Sequence, residues 1–199
     1  MIFVKHRANN ISDVQHLDTK FGAEIDLRIF KGEIVLAHDA FQCGVRFQDW
    51  IGSYSGSLLI LNIKEMGIEK EVVDLVQNHQ ITDYFLLDLS FPYLKEAQRL
   101  GYPVAGRVSD YELLENALLP NVNWLWLDSF SANWSYLDEV LNVKSNKRVK
   151  TCLVSPELQG RQQSQHASEF KYLSKFIEKN PNAIDAICTK NIDYWEKES

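Results

Sequence analysis

The 199-residue chain is 45% hydrophobic, 12% aromatic and 24% charged, the composition of a folded globular domain and not of a disordered, fibrous or membrane-spanning chain. Against 27 Asp and Glu stand 21 Lys and Arg, a formal charge of -6 that argues against nucleic acid or anionic lipid as a partner of the whole surface. A small anionic substrate in a local basic pocket stays open.

Eight short β-type runs recur down the chain, at residues 2–7, 23–30, 58–64, 84–91, 103–109, 124–130, 149–155 and 186–190. Several are almost continuously apolar, as in Leu58-Leu59-Ile60-Leu61, which suits parallel strands covered on both faces. Between them, helical spacing predicts helices over 68–80, 92–100, 111–119, 134–143 and 164–179, with Gly101 and Asn180-Pro181 as stop signals. Residues 27–36 read instead as a strand, a Lys31-Gly32 turn and a returning strand. Eight strands joined by helices predict an α/β fold, a compact (β/α)8 TIM-type barrel in which every edge is paired and every crossover helix lies outside. No linker, repeat or low-complexity tract interrupts the pattern, so residues 1–199 are expected to form a single domain at the short end of the barrel range.

Cys43, Cys152 and Cys188 cannot all pair and show no C-x-x-C spacing, so a reduced, cytoplasmic setting is expected. Lys5 and His6 come too early for the apolar core of a signal peptide. No run of about 18 apolar residues follows, so no stable membrane insertion is expected. Cys152, Cys188 and the five tryptophans read as core residues, Cys43 as an accessible loop thiol, and His16, His79 and His166 as surface positions without a role.

In such a barrel, reactive groups gather where the strands end. The first run ends in His6-Arg7, the second contains Glu24-Ile25-Asp26, the hairpin closes on His38-Asp39, and the third run ends in Asn62-Ile63-Lys64. Side chains alternate along a strand, so Glu24 and Asp26 share a side, as do Asn62 and Lys64. Two carboxylates aimed together repel unless protons or a cation sit between them. The oxygen-rich set Glu24, Asp26 and Asn62 suits Mg2+ or Ca2+ better than zinc. His6 and His38 supply a general acid and a general base, and Arg7 and Lys64 can neutralise a phosphate, which favours phosphoryl over acyl chemistry. Alternation alone aims Arg7 away from the others, so its role requires the chain to turn there.

This series, His6-Arg7, Glu24-x-Asp26, a hairpin closing on His38-Asp39, then Asn62-Ile63-Lys64, resembles the glycerophosphodiester phosphodiesterase family within the phospholipase C-like phosphodiesterase barrels. The likeness is specific over the first 64 residues and loose beyond them. It implies a metal-dependent phosphodiester hydrolase acting on a glycerophosphodiester-like or related small phosphodiester. His6 and His38 become the acid/base pair, Glu24 and Asp26 metal ligands, and Arg7 and Lys64 the phosphate clamp. In many relatives a neighbouring hydroxyl of the substrate attacks first and gives a cyclic phosphate. The chain departs from the family twice: Ala8 stands where His-Arg-Gly is usual, and Asn62 where a third acidic ligand is usual. Asn62 brings an oxygen but no charge, so metal affinity is expected to be weaker unless another acid such as Glu157 or Asp128 assists. Glu157 divides evenly between an auxiliary metal ligand and a loop charge, while Asp128, Arg107 and Lys190 read as salt-bridge partners at the strand ends. Two other readings are carried: a catalytically silent barrel that binds a phosphorylated sugar or lipid headgroup, motivated by Asn62, and a metal-free phosphosugar isomerase.

Overall fold

The structure, a computed structural model, describes residues 1–161 and 163–198. They fall into two compact units, one formed by Lys5–Val104 and the other by Met1–Val4 with Ala105–Ser199. The elements of the first half, in chain order, are β1 (Ile2–Lys5), α1 (Ile11–Val14), β2 (Gly22–Phe30), β3 (Glu33–Leu36), β4 (Val45–Arg46), α2 (Phe47–Ile51), β5 (Leu59–Ile63), α3 (Glu69–Asn78), β6 (Tyr84–Leu87) and α4 (Phe91–Arg99).

Within Lys5–Val104 the strand order is β4-β3-β2-β5-β6. The β2/β5 and β5/β6 pairs are parallel and the hairpin pairs antiparallel. β5 is buried at every position, as its apolar run requires. The predicted hairpin forms around two central residues with left-handed backbone, Lys31 at φ 53° and Gly32 at φ 85°, the conformation a two-residue turn between twisted strands demands. The register sets Asp26 beside Asn62 and Ala23 beside Leu59, so two of the polar positions sit side by side on neighbouring strands. α3 buries Val72, Val73 and Val76 and leaves Leu75 half-buried; α4 buries Leu94 and Ala97 and stops at Gly101, φ 77°.

Two predicted runs end early for one reason. Arg7 (φ 51°) and Asp88 (φ 62°) take left-handed backbone just past β1 and β6, which breaks the strand and lets the chain turn across its end. The short elements α1, β4 and α2 have too few residues to show a period and were not predicted.

The second half adds β7 (Ala105–Val108), α5 (Leu114–Ala117), β8 (Trp124–Leu127), α6 (Leu137–Asn146), β9 (Lys150–Val154), a 3-10 turn over Pro156–Gln159, α7 (Gln163–Lys179), β10 (Ala186–Thr189) and α8 (Ile192–Glu198). Here β1, β10, β9, β8 and β7 are neighbours in that order. The three pairs among β7 to β10 are parallel. Leu125, Leu127, Leu153 and Ile187 pack with Leu137, Val140, Leu173 and Trp195 of the helices. A Cβ on Gly106 would lie 2.4 Å from the Ala117 carbonyl, so glycine is what lets α5 approach β7.

The helix expected over 111–119 is shorter than predicted, because the Ser109 hydroxyl accepts hydrogen bonds from the Tyr111 and Glu112 amides and holds that stretch in a turn. Similarly, Asn133 Oδ1 accepts from Ser135 N, and α6 starts at Leu137 instead of at Trp134. All five tryptophans, Cys152 and Cys188 are buried and Cys43 is exposed, as expected. The chain is thus α/β with a mostly parallel sheet. Among the described residues, no helix is long and apolar enough to cross a membrane.

Candidate active site

Six of the candidates, His6, Arg7, Glu24, Asp26, Asn62 and Lys64, meet within Lys5–Val104 in one continuous set of contacts. Glu24 and Asp26 project from the same face of β2, and each is only 1% exposed. Glu24 Oε2 accepts a hydrogen bond from the Arg7 backbone N–H at 2.8 Å and lies 3.9 Å from His6 Nε2, while Oε1 accepts from Asn62 Nδ2 at 2.9 Å. Burial, and then the charge of Asp26, push the Glu24 carboxyl up to about 7, against the opposing pull of the Asn62 and Arg7 hydrogen bonds and the Lys64 charge.

The left-handed turn at Arg7 removes the objection that strand alternation would send its side chain away. It brings Arg7 N onto Glu24 and Arg7 Nε to 3.8 Å from Asp26 Oδ2. Ala8 is not among the residues with positive φ, so alanine in place of the usual glycine brings no left-handed strain. It is fully buried, its N–H donates to the Glu24 carbonyl at 2.8 Å, and its carbonyl accepts from the Trp50 indole N–H at 2.9 Å.

Asp26 Oδ2 accepts from Asn9 Nδ2 at 2.9 Å, and Lys64 Nζ stands 3.6 Å from Oδ1 and 3.2 Å from Asp88 Oδ2. His38 joins through the backbone: Arg28 Nε donates to the His38 carbonyl at 3.0 Å and Arg28 Nη1 to the Lys64 carbonyl at 3.3 Å, so one guanidinium ties together the chain at both candidates. The His38 ring meets Asp39 at 2.7 Å through Nδ1, which holds Asp39 below the usual carboxylate range and, with Nδ1 as the donor, leaves Nε2 as the ring nitrogen that can accept.

Asn9, Arg28 and Asp88 contribute contacts that were not assigned from the sequence. Arg28 carries a readable signal, since it continues the Glu24, Asp26 alternation along β2. Asn9 carries none, because its position depends on the turn at Arg7.

Glu157 lies in the Ala105–Ser199 segment. Its Oε1 accepts from Thr189 Oγ1 at 2.6 Å and from the Lys190 N–H at 2.9 Å, and its other oxygen pairs with the Ser155 hydroxyl, so the carboxylate links the ends of β9 and β10. Asp128 pairs with Arg107 at 2.8 Å, the salt bridge expected of both.

A divalent cation would need buried oxygens in this set that no protein donor has taken. Among the described residues, Asp26 Oδ1 and Asn62 Oδ1 accept no hydrogen bond, and they belong to neighbouring register positions of β2 and β5. The bond from Asn62 Nδ2 to Glu24 leaves the amide oxygen as the open group. An unsatisfied buried oxygen costs about 1–3 kcal/mol, and hard cations take oxygen ligands of both kinds, so the donor set fits Mg2+ or Ca2+. With two carboxylates and an amide, it is less negative than an all-acid site. Among the described residues no three His, Cys, Asp or Glu side chains form a cluster suited to a metal.

A solved glycerophosphodiester phosphodiesterase from Agrobacterium tumefaciens str. C58 superimposes with a TM-score of 0.60 at 10% identity, over 96% of both chains. The fold is that of a glycerophosphodiester phosphodiesterase. A glycerophosphoryl diester phosphodiesterase from Parabacteroides distasonis ATCC 8503 agrees, with a TM-score of 0.61 at 13% identity over 95% of this chain and 82% of its own. No family model and no curated protein matches the sequence. At such low identity the likeness is one of fold, and the chemistry has to be argued from the side chains.

Proposed function

We propose that residues 1–199 form one (β/α)8 barrel domain whose site is that of a divalent-metal-dependent phosphodiesterase, acting on a glycerophosphodiester-like or related small phosphodiester. The observation that carries this reading is the pair of open oxygens on Asp26 and Asn62, buried beside Lys64 and linked through Glu24 to His6. The fold shared with two solved glycerophosphodiester phosphodiesterases supports it.

Glu24, Asp26 and Asn62 would hold the cation. When bound, Mg2+ or Ca2+ supplies Lewis-acid polarisation of a phosphoryl oxygen and favours ionisation of the attacking hydroxyl. Arg7, half in solvent, and Lys64 neutralise the non-bridging oxygens as charge builds on them. One histidine takes the proton of the attacking hydroxyl and the other returns a proton to the leaving alkoxide, whether the product is a cyclic phosphate or a hydrolysed monoester. In Glu24, as in Glu157, both oxygens already accept hydrogen bonds, so the proposed set rests first on the open oxygens of Asp26 and Asn62, with Glu24 beside them on the same strand face and Glu157 as an auxiliary ligand.

The test is hydrolysis of an aryl phosphodiester with added Mg2+ or Ca2+, after chelation, and after restoring the ion. Activity that disappears on chelation and returns with metal is expected; activity indifferent to chelation contradicts the reading. One observation favours a second reading, a silent barrel binding a phosphorylated sugar or lipid headgroup: the Lys64 ammonium stands 3.6 Å from the open Asp26 oxygen, close enough to offset its charge without a metal. That reading requires phosphoester binding with no turnover of any substrate.

A further inference from the structure

We infer that Asn9 is a positioning residue that aims the Asp26 carboxylate, an inference that rests on the cation reading above. Asn9 grips Asp26 at two points. Its Oδ1 accepts from the Asp26 backbone N–H at 3.0 Å, and its Nδ2 donates to Asp26 Oδ2 at 2.9 Å. Because the backbone contact fixes the amide in place, the carboxylate contact decides which oxygen of Asp26 is held and which is left open. Oδ1 is left open.

The alternative for Asp26 is collapse onto a cation of the protein itself. Arg7 Nε stands 3.8 Å from Oδ2 and Lys64 Nζ 3.6 Å from Oδ1, both outside hydrogen-bond range. By occupying Oδ2 with a neutral donor, Asn9 keeps the guanidinium from closing onto the carboxylate, so both ion pairs of Asp26 stay longer than hydrogen bonds and Oδ1 keeps a place for a ligand. Three further contacts put Asn9 where it can do this: Arg7 N to Glu24 Oε2, Ala8 N to the Glu24 carbonyl, and the Trp50 indole to the Ala8 carbonyl.

A residue that only stabilises the segment would behave differently. Asn10, its neighbour, makes a capping box with Asp13 at the start of α1 and is not bonded to β2 in any of these contacts. Asn10→Ala therefore weakens the segment without disturbing Asp26.

The experiment titrates Ca2+ and Mg2+ into full-length wild type, Asn9→Ala and Asn10→Ala by calorimetry, each freed of metal by chelation. The wild type is also followed by NMR at the Asn9 side-chain amide. Asn9→Ala is expected to bind at least about tenfold more weakly than wild type, the usual scale for groups that orient a metal ligand, while Asn10→Ala keeps wild-type affinity. The Asn9 NH2 signals are expected to shift with Ca2+ and saturate at the same concentration as the heat, a readout that survives even where Asn9→Ala fails to fold. Equal affinities in all three proteins, or Asn9 signals unmoved at saturation, overturn the role of Asn9 and leave the cation site standing. A wild type that binds neither ion overturns the cation reading and this inference together.

Discussion

His38→Ala is expected to lower kcat/KM on a phosphodiester with two alkyl groups by about 10²–10⁴-fold, the usual contribution of one positioned acid or base, and His6→Ala to do the same. The two losses should part when the leaving group is changed. An activated aryl oxide departs without a proton, so the variant lacking the acid recovers most of its rate on an aryl ester, whereas the variant lacking the base does not. His38, held by Asp39 and joined to Lys64 through Arg28, has no side-chain contact with Glu24 or Asp26 among the hydrogen bonds and ion pairs described above, so its removal should leave cation affinity unchanged. Steady-state kinetics on both esters decide the matter. Variants within threefold of wild type on the alkyl ester would remove the two-histidine mechanism.

A second large effect is expected at Asn62. Asn62→Asp keeps the shape of the side chain and adds a charge where the donor set is short of one, so Ca2+ or Mg2+ affinity at pH 8 should rise about tenfold or more. The same change takes away the N–H that Glu24 Oε1 accepts and sets a like charge beside it, so without metal the Glu24 pKa moves above its present value of about 7.

The sign of the pH dependence follows. In the wild type Glu24 goes from an ordinary carboxyl unfolded, 4.5, to about 7 folded, so the folded protein binds the extra proton between those values. The metal-free fold therefore has its full stability from this group below about pH 4.5 and loses it as the pH rises through 7. A cation competes with that proton: affinity is expected to fall as the pH drops below 7, with protons released on binding, and in Asn62→Asp the decline should begin at higher pH. Calorimetry in buffers of different ionisation enthalpy measures both. Affinity flat from pH 5 to 8 in both proteins would contradict the placement of Glu24 in the cation site.

The parts of this site legible in the sequence are those fixed by strand periodicity. Glu24 and Asp26 lie on one face of β2, the hairpin turns at Lys31-Gly32, and each of the eight predicted runs holds a strand, because alternation and local turn chemistry act over a few residues. What was not legible depends on backbone that no period reveals. Arg7 reaches Asp26 only because its φ is positive, Asn9 follows from that turn, and Asp88 meets Lys64 after a second left-handed residue. The shortened α5 and the late start of α6 tell the same story, since single Ser109 and Asn133 side chains hold the chain in turns where apolar spacing alone predicted helix. Glu157 shows the opposite limit: residue type marks it as a possible ligand, but its oxygens serve β9 and β10.

The central claim is that Asp26 and Asn62 present their open oxygens to a divalent cation. Anomalous diffraction from crystals soaked in Mn2+ at pH 8 addresses it most directly. The account predicts one strong peak within coordination distance of Asp26 Oδ1 and Asn62 Oδ1, with Lys64 displaced toward Asp88; no peak there, with the Lys64 ammonium bonded to Asp26 in its place, would contradict it.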